Sequence, residues 1–498
     1  MRLSLFVVSV AVLVGSSSHV NAAKLGARQT RTTPLLTNFP GQAPLPALIQ
    51  HKTESGANDT VLPLNNIQGD ILVGMKKQKE RFVFFHVNDA TSFKTALKTY
   101  VPERITSAAI LISDPSQQPL AFVNLGFSNT GLQALGITDD LGDAQFPDGQ
   151  FADAANLGDD LGQWVAPFTG TTIHGVFLIG SDQDDFLDQF TDDISSTFGA
   201  SITQVQALSG SARPGDQAGH EHFGFLDGIS QPSVTGWETT VFPGQAVVPP
   251  GIILTGRDGD TGTRPSWALD GSFMAFRHFQ QKVPEFNAYT LANAIPANSA
   301  GNLTQQEGAE LLGARMFGRW KSGAPIDLAP TADDPALGAD PQRNNNFDYS
   351  DTLTDETRCP FGAHVRKTNP RQDLGGPVDT FHAMRSSIPY GPETSDAELA
   401  SGVTAQDRGL LFVEYQSIIG NGFRFQQINW ANNANFPFSK PITPGIEPII
   451  GQTTPRTVGG LDPLNQNETF TVPLFVIPKG GEYFFLPSIS ALTSTIAA

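Results

Sequence analysis

Between Arg81 and Leu208 the hydrophobic pattern changes period several times, and the order of those changes restricts the fold more than any other feature of the chain. The run Arg81-Phe82-Val83-Phe84-Phe85-His86-Val87 predicts a strand, and Asp89 stands where an N-cap would open a helix over 90–100. Apolar segments at 105–112 and 120–125 read as strands. A short helix over 130–135 then precedes a Gly/Asp-rich insertion at 136–165. A buried strand over 172–179 leads into a helix over 184–198, where Phe186, Leu187, Phe190 and Ile194 fall on one face. A strand over 202–208 closes the set. With insertions, this is the β-α-β-β-α-β order of a ferredoxin-like domain, an antiparallel sheet with helices on one face.

From Gly210 onward Gly, Pro and Asp dominate the connections. Strands are expected over 271–279, 410–415 and 482–486, and helices over 283–294, 305–317 and 418–429. The 498 residues suffice for two or three domains or one large one. The reading divides them into an N-terminal domain at 62–209 and a second α+β domain at 210–498. Ahead of these, Met1-Arg2, an apolar run from Leu3 to Val14 and Val20-Asn21-Ala22 read as a cleaved signal peptide over 1–22, too short to span a bilayer. Residues 23–61 read as a pro-segment or disordered leader, with an ordered arm as the alternative. Secretion makes the sequons at Asn58, Asn302 and Asn467 candidate glycan sites. The lone cysteine, Cys359, cannot close an intrachain disulfide, so stability must come from packing or a bound cofactor.

The formal charge of −18 disfavours nucleic acid and anionic membranes as partners. Phe occurs 35 times, against one Cys, five Met, five Trp and six Tyr. Phe fills space without a phenol, indole or sulfur to oxidise, so this bias fits either compositional drift or a protein that makes an oxidant.

Walker loops, G-x-S-x-G elbows, H-E-x-x-H helices and C-x-x-C pairs are absent, which removes the common nucleotide, serine-hydrolase and zinc readings. His220 and His222 would share a face on a strand, a weak metal signal. Three other segments stand out. Gly224-Phe225-Leu226-Asp227-Gly228 taken alone reads as a turn in which Asp227 bonds its own backbone. Gly362-Ala363-His364-Val365-Arg366-Lys367-Thr368-Asn369-Pro370-Arg371 sets one histidine beside three cations, which suits either a solvated basic loop or a metal-bearing cofactor with carboxylates. His382-Ala383-Met384-Arg385-Ser386-Ser387-Ile388-Pro389-Tyr390-Gly391 carries an isolated arginine.

Together, in this order and with Leu410-Leu411-Phe412-Val413 after them, these segments resemble the dye-decolorizing peroxidases, close to a secreted fungal member, over residues 62 to 498. The resemblance implies two ferredoxin-like domains with antiparallel sheets, and one non-covalent haem b per chain held mainly by the C-terminal domain. It implies His364 as the axial iron ligand, with Glu447 as acceptor for its other ring nitrogen. Arg371, and less so Arg366 and Lys367, would pair the haem propionates. Asp227 would move the peroxide proton, Arg385 would stabilise the departing oxygen, and Leu410 and Phe412 would wall the pocket. Hydrogen peroxide is then the oxidant, and bulky anthraquinone dyes, phenols and lignin-like compounds are the reductants. These cannot enter so small a pocket, so Tyr390 and Trp430 are candidates for carrying electrons from the surface. A carboxyl ordinarily titrates near pH 4 and imidazole near 6.5, so a distal carboxylate implies an acidic optimum. The expected enzyme is a secreted monomer. The rivals are a haem-handling protein with incidental peroxidase activity, and a carboxylate-pair hydrolase acting on polysaccharide.

Overall fold

The computed structural model describes residues 61–75, 77–113, 118–237, 241–376 and 378–498. The signal, most of the leader and Asn58 lie outside them.

Strand β1 (Lys79–Val87) leads into helix α1 (Ala90–Arg104), opened by Asp89, whose carboxylate accepts the Thr91 and Ser92 N–H groups at 3.0 and 3.3 Å. The 105–112 segment is not the expected strand. Ser107 caps a helical turn, Ala108–Leu111, by accepting the Ile110 N–H, and only Ile105 and Thr106 reach a strand, where they meet Val123. A short apolar run suits a buried turn as well as a strand, and the capping serine decides between them. The order then continues with β2 (Ala121–Phe127), β3 (Gly175–Ser181), α2 (Asp184–Phe198) and β4 (Ile202–Ser211). All pairings are antiparallel in the order β4-β1-β3-β2, the ferredoxin-like arrangement.

The second half repeats it. Its elements are β5 (Ser272–Gln281), α3 (Val283–Ala292), α4 (Gln305–Phe317), α5 (His364–Thr368), β6 (Met384–Arg385), β7 (Ile388–Tyr390), β8 (Gly409–Gln416) and β9 (Val476–Leu486). These strands pair as β9-β5-β8-β6, with β7 also on β8. The helix expected over 418–429 starts later, at Phe423, and runs through a π-helical turn to Ala431. Gly420 and Gly422 before it favour a bend over a helical start.

The halves are joined where β9 pairs with β2, at Phe485 and Phe127, so one nine-stranded sheet spans both. Its two faces carry separate cores. Phe82, Phe84, Met274, Phe276, Leu411, Val413 and Phe484 pack on one face. Val83, Phe85, Phe177, Phe273, Tyr483 and Phe485 pack on the other, beneath α1 and α2. Each core draws on both halves, which is why neither sheet is left with an unburied apolar face. The sheet curls until its ends meet, since Gly210 of β4 lies against Ile388 and Pro389 of β7. A Cβ at Gly210 would crowd the Ile388 methyl and stand 2.9 Å from the Pro389 carbonyl.

Gly210→Ala should therefore lower unfolding free energy by about 1–3 kcal/mol. Gly376→Ala, with open space around its Cβ, should stay within about 0.5 kcal/mol of the parent. Thermal or denaturant unfolding of the two variants checks both.

Candidate active site

One cavity brings most of the singled-out residues together. Asp227, His364, Arg371, Arg385, Leu410, Phe412 and Trp430 all line it, and the lining runs from Glu221 to Val476, entirely within the second half. The acidic loop is built by Glu221, a buried carboxylate that accepts the Phe223 and Phe225 N–H groups at 2.8 and 2.9 Å and also bonds the Gln281 amide. Gly224 (φ +93°) and Gly228 (φ +72°) supply the left-handed backbone that brackets Asp227. Asp227 makes the turn expected of it, since its Oδ1 accepts the Gly228 N–H at 2.6 Å. The same oxygen faces Arg385 Nη1 at 3.6 Å, so the turn holds a carboxylate in the cavity beside a guanidinium.

Arg385 is clamped at both ends. Gln231 accepts its N–H at 3.1 Å and donates to its carbonyl at 2.7 Å, while Nη2 donates to the Ser230 carbonyl at 2.7 Å. Leu410 and Phe412, at alternate positions of β8, present apolar side chains beside it.

His364 opens α5, and its Nδ1 lies 3.2 Å from Glu447 Oε1. Glu447 is fully buried and accepts backbone N–H groups from Ile449 at 2.9 Å, Gly451 at 2.8 Å and Ile450. Burial alone would raise its pKa. The His364 hydrogen bond and charge, the Ile449 N–H and Arg456 outweigh this and hold the carboxyl below its usual value of 4.5. An ionised Glu447 makes Nδ1 the protonated ring nitrogen, which leaves the Nε2 lone pair for a metal. The Phe317 ring packs against the imidazole at 6.2 Å.

Arg371 adopts a left-handed backbone, φ +49°, which is costly for a side chain with a Cβ. It is held by the Asn345 and Phe347 carbonyls and the Asn345 side chain, over the Phe347 ring at 4.0 Å. Arg319, which no sequence motif marked, lines the same end of the cavity. Burial, with Arg371 and Arg385 adding to it, pulls its pKa down to about 9. Three guanidiniums sharing one cavity with mutual repulsion form a field that an anionic group would relieve.

Other expectations are corrected. Arg366 does not line the cavity: it is fully buried on Asp373, at 2.6 and 2.9 Å, and on the Cys359 and Thr352 carbonyls. Lys367 is likewise committed, to the carbonyls of Trp430, Asn433 and Gly445. Trp430 is not a surface residue, being 3% exposed and stacked on Phe436 at 5.3 Å. Tyr390 is half-buried and donates to Asp407 at 3.1 Å. His220 and His222 lie in a loop, and among the described residues no group of three metal-ligating side chains forms. Asn302 and Asn467 are exposed. Glu221, Gln231, Arg319 and Glu414 are cavity residues that the sequence reading missed. Only Glu414 carried a signal, as the next alternate position after Leu410 and Phe412.

Comparison with known proteins agrees with this geometry. The DyP dimeric alpha+beta barrel domain matches residues 66–214, and the C-terminal domain of Dyp-type peroxidases matches residues 220–446. The chain is 52% identical to dye-decolorizing peroxidase AauDyP1 of Auricularia auricula-judae, over 94% of this chain and 92% of that protein. It is 49% identical to dye-decolorizing peroxidase msp1 of Mycetinis scorodonius, over 97% and 96%. The chain belongs to the dye-decolorizing peroxidase family. A solved dye-decolorizing peroxidase in complex with 2,6-dimethoxyphenol is 99% identical, covers 88% of this chain and all of its own, and superposes with a TM-score of 0.87. Membership sets aside the hydrolase reading and makes the chain a peroxidase of a haem-enzyme family. The residues of this peroxidase fit haem. An imidazole oriented by Glu447 faces apolar walls at Phe317, Phe412 and Ile449, and the Arg319 and Arg371 guanidiniums suit carboxylates.

In this peroxidase Glu447→Ala strands three buried N–H groups and should cost about 3 kcal/mol or more in denaturant unfolding. Because folding lowers its pKa, ionised Glu447 adds stability above about pH 4.5. That increment fades as the pH falls, so the gap between parent and Glu447→Gln should narrow in acid.

Proposed function

We propose that this peroxidase reduces hydrogen peroxide and oxidises anthraquinone-type dyes, phenols and lignin-like compounds in acid, using one haem b bound without covalent attachment. Bound haem supplies a redox-active iron that stores the oxidising equivalents of peroxide. The observation that carries the reading is that one cavity holds both a tautomer-fixed imidazole, His364 on Glu447, and an acid–cation pair, Asp227 beside Arg385 at 3.6 Å.

His364 would hold the iron through Nε2, with Glu447 raising the basicity of the ring by accepting at Nδ1. Arg371, with Arg319 next to it, would pair the haem propionates. Asp227 takes the proton from one peroxide oxygen and returns it to the other, and Arg385 stabilises the negative charge that develops on the departing oxygen. Leu410 and Phe412 keep larger molecules away from these groups. Bulky reductants then deliver electrons from outside. Tyr390, half-buried with its hydroxyl on Asp407, is placed to release a proton to that carboxylate as it is oxidised. Trp430, packed among Phe381, Phe425 and Phe436 against the cavity, would serve as an internal relay. The signal-peptide pattern read over 1–22 supports secretion of a mature chain that acts as a monomer, and the exposed Asn302 and Asn467 support glycosylation there.

Stopped-flow reaction of the holoenzyme with peroxide is the test. Asp227→Asn should lose about 10²–10⁴-fold in rate, and Arg385→Leu about 10²–10³-fold, each retaining the haem absorption band. Parental rates in both would overturn the assignment. Tyr390→Phe should keep the peroxide rate and lose turnover of bulky dyes, measured with an anthraquinone dye alongside a small phenol.

A further inference from the structure

The strand that supplies Leu410 and Phe412 sets a third side chain on the same face, two residues on. Glu414 lines the cavity and is only 3% exposed. Its carboxylate accepts one long hydrogen bond, 3.4 Å from Gln426 Nε2, and that nitrogen also donates to the Phe381 carbonyl at 2.8 Å. A carboxylate so far from water and so poorly solvated by its surroundings is costly as an anion.

Its register partner on β6 is Arg385. Residues directly opposite in an antiparallel pair share a face, with Cβ atoms about 5 Å apart. Arg385 thus stands between two carboxylates, Asp227 on a glycine-bracketed loop and Glu414 across the ladder. The Arg385 backbone is pinned by Gln231, so any exchange between them moves only the guanidinium, which Ser230 holds through Nη2.

We propose that Glu414 is a positioning residue acting through Arg385: protonated, it leaves the guanidinium to Asp227 and incoming peroxide, and ionised, it competes for that guanidinium and places a second negative charge in the cavity. The inference rests on the reading of Asp227 and Arg385 as the peroxide-handling pair.

The surroundings of Glu414 support a change of charge in the relevant range. On β5 it faces Ala275, and the helix after β8 brings Gln426, both uncharged. The turn before β6 brings His382 to the same cavity, with Nδ1 at 3.1 Å from the Val378 carbonyl and a pKa lowered by burial. Arg385 is the charge that acts on Glu414, and against it burial lifts the carboxyl to about 7. The device thus favours the working arrangement in acid and withdraws it towards neutral pH.

The test uses the holoenzyme with fluoride, an anion that reports on the peroxide side through the haem spectrum. The parent should lose about tenfold in fluoride affinity around pH 7, beyond the loss common to all variants. Glu414→Gln should lack that break and should also retain its peroxide rate better between acid and neutral pH. An identical break in parent and variant, or no break in the parent whatever the variant does, would overturn the proposal. A parental peroxide rate in Asp227→Asn would overturn the underlying site reading, and so separates the two failures.

Discussion

Glu447 is the carboxylate on which the site depends. It sits with no exposure to solvent and is kept ionised by three backbone N–H groups and the imidazole it faces. A buried anion is tolerable only when so many donors converge on it. The consequence runs outward in both directions: the segment after Glu447 must curl to aim its N–H groups, and His364 must present one defined nitrogen to the cavity. The charge balance of the opposite groups follows the same rule, since the buried guanidiniums of Arg319 and Arg371 are satisfied by carbonyl oxygens rather than by carboxylates. Their net positive charge is left uncancelled, ready for an anionic ligand.

Two antiparallel sheets of one topology are joined into one, yet only the second carries the cavity. The difference lies in what covers the sheet. In the first half, α1 and α2 press Phe93, Leu97, Leu187 and Ile194 directly onto it. In the second, α4 and α5 and the segment from Phe423 to Ala431 stand off, and the space between them and β5 and β8 becomes the site. Arg385 and Glu414 can face that space because β6 and β8 alternate, with Met384, Leu411, Val413 and Tyr415 filling the apolar core behind.

Much of this was legible in the residues. The helix over 184–198 and that over 305–317 have the observed bounds: the first follows its apolar face and stops at Gly199, and the second is opened by the Thr304–Glu307 capping box and closed by left-handed Gly318. Asp227, His364 and Arg385 come together as the motif order implied, and Glu447 reaches His364 across 83 residues of chain. What failed did so for local reasons. The 105–112 run lost its strand to a capping serine, and the basic loop around His364 hid two cations, Arg366 on Asp373 and Lys367 among carbonyls, that composition cannot distinguish from solvated charges. Trp430 was expected at the surface as one of few oxidisable side chains able to carry electrons outward, but its indole packs among phenylalanines while neighbouring Asn432 donates to the Leu157 carbonyl. Arg319 follows a glycine at the end of α4, where nothing in sequence distinguishes it from an ordinary C-terminal cation.

The meeting of β4 and β7 at Gly210 has a mechanical consequence. With the ends of the sheet together and both cores shared between halves, the frame has no hinge about which to gape. A bulky reductant cannot be admitted by domain opening, so the oxidising power of such a frame has to travel to its substrate rather than the reverse.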